Sequence, residues 1–178
     1  MRRSRIAMTV GAAAALCLSG VMFSGTAHAV TSRCTDIQSR SFSTPGFDPD
    51  VNLQVCIQEG PASPPETNYR TYTAVVTGSF KDGGGGSTRK FDNFDLEIRL
   101  ESRPIGGTSD YVDSKAVCDE TASLNGLDGG ALYCKTGLKM HVNMGPLLTG
   151  DATVRYDVDA DGKGALEPWD LTGSPHLP

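Results

Sequence analysis

The alternation of apolar and polar residues over positions 69–101 restricts what this chain can fold into more than any other feature. Apolar side chains recur at every second position in two runs, separated by a glycine-rich segment at positions 81–89. A period of two is typical of strands with one buried face, and a glycine-rich segment between two such runs favours a hairpin. The sequence therefore predicts two long strands paired as an antiparallel hairpin. Their core face carries Tyr72, Ala74, Val76, Phe80, Phe94, Leu96, Ile98 and Leu100.

The same period of two appears in several other segments. An isolated hairpin is only marginally stable, so a second layer must cover the apolar face. We predict an all-β fold, an antiparallel β-sandwich of six to eight strands, either Ig-like or jelly-roll-like, with a small β-barrel as the alternative. Short strands are also expected at 111–117 and 166–171. The remaining predicted core positions are Val51, Leu53, Val55, Ile57, Leu138, Met140, Val142, Met144, Val154, Tyr156 and Val158.

The first 29 residues have the pattern of a secretory signal peptide. Arg2, Arg3 and Arg5 precede an apolar run at positions 6–21, and small residues flank a cleavage position after Ala29. A retained membrane anchor is the alternative, although the run is short for a membrane span. We therefore expect residues 1–29 to be removed and residues 30–178 to form a single secreted β domain, extracellular and without a membrane span.

The charge of the processed chain excludes some partners. Removal of the leader leaves 149 residues with 13 basic and 21 acidic side chains, a formal charge of −8. Nucleic acids and anionic membranes bind clustered lysine and arginine, and this sequence has no such cluster. The partner classes that remain are an extracellular protein and a glycan.

Four cysteines remain after processing, an even number that is typical of disulfides in an exported chain. Three pairings are open, and we favour the local one, Cys34 with Cys56 and Cys118 with Cys134. Cys56 is expected on the outer face of its strand. A zinc site is the alternative, but the sequence lacks the Cys-x-x-Cys spacing.

The segment 157–162 resembles the first half of an EF-hand calcium loop. Asp157, Asp159 and Asp161 occupy alternate positions and a glycine follows them. In the EF-hand family, carboxylate ligands of Ca²⁺ have this spacing and a glycine makes the turn. The last carboxylate of the family pattern would fall at Pro168, and Glu167 stands one position earlier. The resemblance implies a calcium site formed by these three aspartates and Glu167. An Asp-Gly turn with solvated carboxylates is the alternative.

Two further features indicate a binding role. A disulfide between Cys118 and Cys134 would hold the 119–133 segment, including Asn125, in place before a partner arrives, which suits an inhibitor of a secreted hydrolase. Trp169 has the ring needed to stack on a sugar, although packing against the core is the alternative. With the aspartates, it would make a calcium-dependent surface or carbohydrate binder.

Catalytic patterns are absent from the sequence. Neither the serine hydrolase nor the zinc protease motif occurs, and His141 falls on the polar face of its strand. Asp95 and Glu97 lie two residues apart on one strand face, a spacing that a glycosidase uses only within a cleft. We therefore predict a non-enzymatic binding or interaction module that needs no cofactor, with a purely structural protein and a small hydrolase as the other hypotheses.

Overall fold

The computed structural model describes residues 31–62, 69–82, 89–142, 145–159 and 164–177. The predicted signal peptide lies outside these ranges. The described residues form ten strands and one short helix: β1 Thr31–Cys34, β2 Gln38–Ser41, β3 Asp50–Ala62, β4 Tyr69–Lys81, β5 Phe91–Arg103, β6 Tyr111–Asp119, α1 Thr121–Gly126, β7 Gly129–Lys135, β8 Lys139–Val142, β9 Leu147–Val158 and β10 Glu167–Asp170.

The strands form two antiparallel sheets packed face to face. Sheet A has the order β1-β3-β4-β7, with β2 also pairing with β3 and β8 with β4, and sheet B has the order β10-β9-β5-β6. The sheets do not close on each other, so the predicted β-sandwich is confirmed and the barrel is excluded. The short edge strands β1, β2, β8 and β10 raise the strand number above the expected six to eight.

The predicted hairpin is wrong. β4 pairs with β3, β7 and β8 in sheet A, whereas β5 pairs with β6 and β9 in sheet B. The glycine-rich connection therefore crosses from one sheet to the other. The physical reason is that a period of two fixes which face of a strand is buried but not which strand lies beside it. Two apolar faces are covered equally well when they pack against each other across a sandwich.

The predicted core positions of β3, β4 and β5 are confirmed, since all of them belong to the buried hydrophobic cluster between the sheets. In β9, Val154 and Tyr156 join that cluster and Val158 packs against its edge. Phe42, Phe91, Leu124 and Leu132 complete the central part of the core.

The predicted core face of β8 is wrong. Leu138, Met140 and Val142 are exposed, and Met144 lies outside the described residues. Met140 lies opposite Thr71 of β4, and Thr71 is on the outer face because its neighbour Tyr72 is in the core. The alternation along β8 does not decide which of its faces is buried. Here His141 points inwards and is half-buried, whereas Lys139 is exposed.

The two predicted disulfides are confirmed. Cys34 lies directly opposite Cys56, so this bond joins neighbouring strands within sheet A, outside the central core cluster. Cys118 of β6 and Cys134 of β7 belong to different sheets, so the second bond joins the two layers covalently.

Removal of the bond between the sheets should destabilise the domain. We expect Cys118→Ala with Cys134→Ala to lower the free energy of unfolding by about 3 kcal/mol, because a cross-link closing a loop of about 15 residues restricts the unfolded chain by that amount. Guanidinium unfolding followed by fluorescence measures this. For comparison, Cys34→Ala with Cys56→Ala leaves the link between the sheets intact and should lower the free energy of unfolding by a similar amount, because that bond closes a loop of similar length. An unchanged unfolding midpoint in the Cys118/Cys134 variant would contradict this role.

Candidate functional site

Two edge strands of opposite sheets, β6 and β8, meet at one corner of the sandwich. His141 Nε2 lies 2.9 Å from Asp113 Oδ2. A Cβ at Gly137, just before β8, would lie 3.6 Å from the hydroxyl oxygen of Ser114 in β6. The register between β5 and β6 shifts by one residue after Leu100, so that Asp113 has no partner residue in β5. Such a β-bulge changes the direction of the side chain of the extra residue. The sequence placed His141 on a solvent-facing surface and did not indicate Asp113 as its partner.

Large apolar side chains are exposed around this contact. They come from the residues that flank Asp113 and His141 along the two strands, and each is at least half exposed. We call this set the β6–β8 corner: Tyr111, Val112, Leu138, Met140 and Val142. Scattered exposed apolar residues are ordinary, and what distinguishes this set is its concentration in two short segments at one edge of the sandwich. Met140 lies on the outer face of sheet A, opposite Thr71, and Val112 lies opposite Glu101 in sheet B.

The charge at the corner is positive, in contrast to the acidic chain as a whole. Lys135 and Lys139 are exposed and form no ion pair with any residue in the described ranges. Two carboxylates nearby already have cationic partners, since Glu59 pairs with Arg70 and Asp110 with Arg103, and Asp113 is in contact with His141. This edge of the sandwich therefore carries exposed apolar side chains and two lysines that have no ion-pair partner among the described residues.

The outer face of sheet B has a different character, because it carries a network of ion pairs. Glu97 stands at its centre and contacts Arg99 at 3.0 Å, Lys115 at 2.9 Å and Arg155 at 3.2 Å. Arg99 also pairs with Glu101 and Asp151. These groups neutralise one another, so this face offers a partner little unpaired charge.

The environment of Glu97 shifts its titration strongly. Burial acts to raise the pKa of the carboxyl, but hydrogen bonds from Lys115, Arg155 and Arg99 outweigh that effect and lower the pKa to about 2. Asp95, its predicted companion in a carboxylate pair, accepts a hydrogen bond from Asn93 at 2.9 Å. Glu97 is thus held as an anion by its cations, which is the opposite of what a general acid requires.

Trp169 packs at the rim between β2 and β10. It is half-buried, with its ring 5.9 Å from that of Phe42, and Arg40 lies over the rings of Phe42, Tyr156 and Trp169. Arg40 also donates a hydrogen bond to the Tyr156 hydroxyl. The ring face that a sugar would need is therefore partly occupied by the protein itself, which favours the packing role that the sequence left open.

The segment between Cys118 and Cys134, which the sequence indicated as a possible binding element, has regular secondary structure. It forms α1 and β7, and Asp119 accepts a hydrogen bond from the backbone of Thr121 at the start of the helix. The Asn125 side chain accepts hydrogen bonds from the backbone N–H groups of Lys90 and Phe91 and donates one to the Phe91 carbonyl. Asn125 therefore anchors the start of β5, and its role in binding a partner stays a prediction.

The predicted calcium ligands are only partly described. Asp157 and Asp159 lie at the end of β9, and Glu167 begins β10 and accepts a hydrogen bond from the Tyr156 hydroxyl at 2.9 Å. Asp161 lies outside the described residues. Among the residues that are described, no three His, Cys, Asp or Glu side chains are grouped as metal ligands. The calcium site stays a prediction.

A cavity of about 390 Å³ lies at the opposite rim, between the β1–β2 turn and the C-terminal segment. Gln38 lines it, but its amide is engaged with the backbone of Thr172 through both the oxygen and the nitrogen. The Gln38 amide therefore already serves to hold the two segments of the rim together.

The molecule belongs to the class of disulfide-linked two-sheet β-sandwiches. No family model matches its sequence, and no curated protein is significantly similar to it. Within the described ranges, α1 is too short to cross a membrane and no other helix is formed.

The Glu97 network should make the domain sensitive to acid. The pKa of Glu97 in the folded protein, about 2, lies below its ordinary value of 4.5, so its stabilising effect is complete above pH 4.5 and is lost as the pH falls towards 2. We expect the wild type to lose on the order of 2 kcal/mol more than Glu97→Gln over that interval. Urea unfolding at several pH values measures this, with Asp95→Asn as the control. Parallel pH curves for the wild type and Glu97→Gln would contradict the assignment.

Proposed function

We propose that the protein is a secreted, non-enzymatic binding module that recognises a partner protein through the β6–β8 corner. The observation that carries this proposal is the group of five exposed apolar side chains on two adjoining edge strands. Burial of apolar area is the main favourable contribution to most protein association, and the centre of an interface is depleted of charge.

The charges around the corner define the kind of partner. Lys135 and Lys139 are available there, while the nearby carboxylates are paired. A complementary surface would carry apolar side chains bordered by carboxylates, since opposite charges across an interface speed association and exclude wrong partners. A second copy of this chain fits less well, because the two lysines would face the same lysines of the other copy.

A secreted location is part of the proposal. Two disulfides are typical of proteins that fold outside the cytosol. The leader pattern at positions 1–29 supports export through a cleaved signal peptide.

Replacement of Leu138 and of the exposed apolar side chains of β8 should weaken binding without unfolding the domain. We expect the triple variant Leu138→Ser, Met140→Ser and Val142→Ser to bind the partner at least about tenfold more weakly, since side chains at the centre of an interface each contribute 1 kcal/mol or more. The partner is captured from the fluid of the producing culture with the oxidised domain and purified. Calorimetry then gives its affinity for each variant.

Ile37→Ser is the matched control, because Ile37 is an equally exposed apolar residue in the β1–β2 turn at the opposite rim. This variant should bind as the wild type does. Lys135→Gln with Lys139→Gln should slow association and reduce its dependence on salt. Equal binding by the triple variant, capture of no protein, or a domain that dimerises through the corner in sedimentation would each contradict the proposal.

A further inference from the structure

A lysine and an aspartate lie side by side in the interior, at the two ends of the glycine-rich connection between the sheets. Asp82 follows β4 and Lys90 precedes β5. Lys90 Nζ is 2.5 Å from Asp82 Oδ2, and the exposed fractions of the two side chains are 2% and 0%. The other ion pairs described lie nearer the surface, so this pair stands apart.

The carboxylate of Asp82 lacks the partners that usually accompany a buried charge. Neither of its oxygens accepts a hydrogen bond from the described residues, although Nζ is close to one of them. The amine therefore approaches the carboxylate outside hydrogen-bonding geometry. Nζ donates its one described hydrogen bond to the carbonyl oxygen of Leu124 at 2.9 Å. A buried ion pair with so few hydrogen bonds is costly, because each charge has lost its water.

The backbone around both residues is held by neighbouring elements. The N–H of Lys90 donates to the side chain of Asn125 and its carbonyl accepts from Asp159, at 2.8 and 2.9 Å. The N–H of Asp82 donates to the carbonyl of Asp128 at 2.8 Å. Two groups fixed in contact react as if each were present at an effective concentration of about 10⁵ M or more. The amine and the carboxyl group are thus positioned as nucleophile and electrophile.

We propose that Lys90 and Asp82 form an intramolecular isopeptide bond. A proton first passes from the ammonium to the carboxylate, which leaves a neutral amine and a neutral acid. Nζ then attacks the side-chain carbonyl carbon of Asp82, the bond from that carbon to one oxygen breaks, and the oxygen leaves as water with one proton from the acid and one from the amine. The reaction needs no oxidant, reductant or other reagent, and it replaces two buried charges with one neutral amide.

The bond would act as a third covalent link between structural elements. It would close a short ring around the glycine-rich connection and join the end of β4 in sheet A to the start of β5 in sheet B. The disulfide between Cys118 and Cys134 also joins the two sheets. Unlike that disulfide, an amide would persist under reducing conditions.

Mass spectrometry of the intact processed protein tests the proposal directly. With both disulfides reduced, we expect a mass lower than that of the sequence by one water molecule. Trypsin cleaves after Lys81, Arg89 and unmodified Lys90, so an unmodified protein yields peptide 82–89 separately. In the cross-linked protein, cleavage at Lys90 is blocked, and peptide 82–89 remains attached to the peptide that begins at Lys90 and ends at Arg99.

The same digest contains an internal control. Lys115 Nζ lies 2.9 Å from Glu97, but half of the Lys115 side chain is exposed, so this pair should stay unmodified. The variants Lys90→Met and Asp82→Ala should have the full mass of their sequences. If either variant fails to fold, the wild-type digest alone decides. A wild-type protein of full mass, with peptide 82–89 released, would overturn the proposal and leave a buried ion pair.

Discussion

The mutual burial of two apolar sheet faces is the interaction on which the rest of the structure depends. Each sheet has one apolar face that water would otherwise have to hydrate, and the other sheet covers it. The layers approach closely, since a Cβ at Gly150 of β9 would lie 2.9 Å from the carbonyl oxygen of Cys56 and 3.1 Å from the Cβ of Ala74. A glycine inside a strand usually weakens it, but at position 150 the absence of a side chain allows the two sheets to approach closely.

The rims of the sandwich are closed by polar and covalent contacts between the sheets. The disulfide from Cys118 to Cys134 and the contact of Asp113 with His141 lie at the β6 rim. At the β10 rim, Gln38 binds the backbone of Thr172, and Arg40 covers Trp169. An open sandwich exposes unpaired strand edges, and such contacts between layers limit their fraying. The aromatic and amide groups at the β10 rim are therefore engaged within the protein, whereas the apolar groups at the β6 rim remain available to a partner.

The two sides of the molecule suit different roles for the same physical reason. On the outer face of sheet B, Glu97 and its three cations satisfy one another, so a partner would have to break existing ion pairs to bind there. At the β6–β8 corner, a partner would displace only water from apolar side chains, which is favourable. A partner that binds at the corner would therefore break fewer existing interactions than one that binds at the outer face of sheet B.

The sequence by itself determined which residues face the core of β3, β4 and β5, because strand periodicity is a local property. It favoured the two disulfide pairs and the sandwich, and it left the other pairings and the barrel open. Only the tertiary structure decided that β4 and β5 lie in different sheets, that Met140 faces out while His141 faces in, and that Asp82 meets Lys90. Each of these depends on contacts between segments distant in sequence or on the path of a connection, and alternation along a strand does not specify its neighbours.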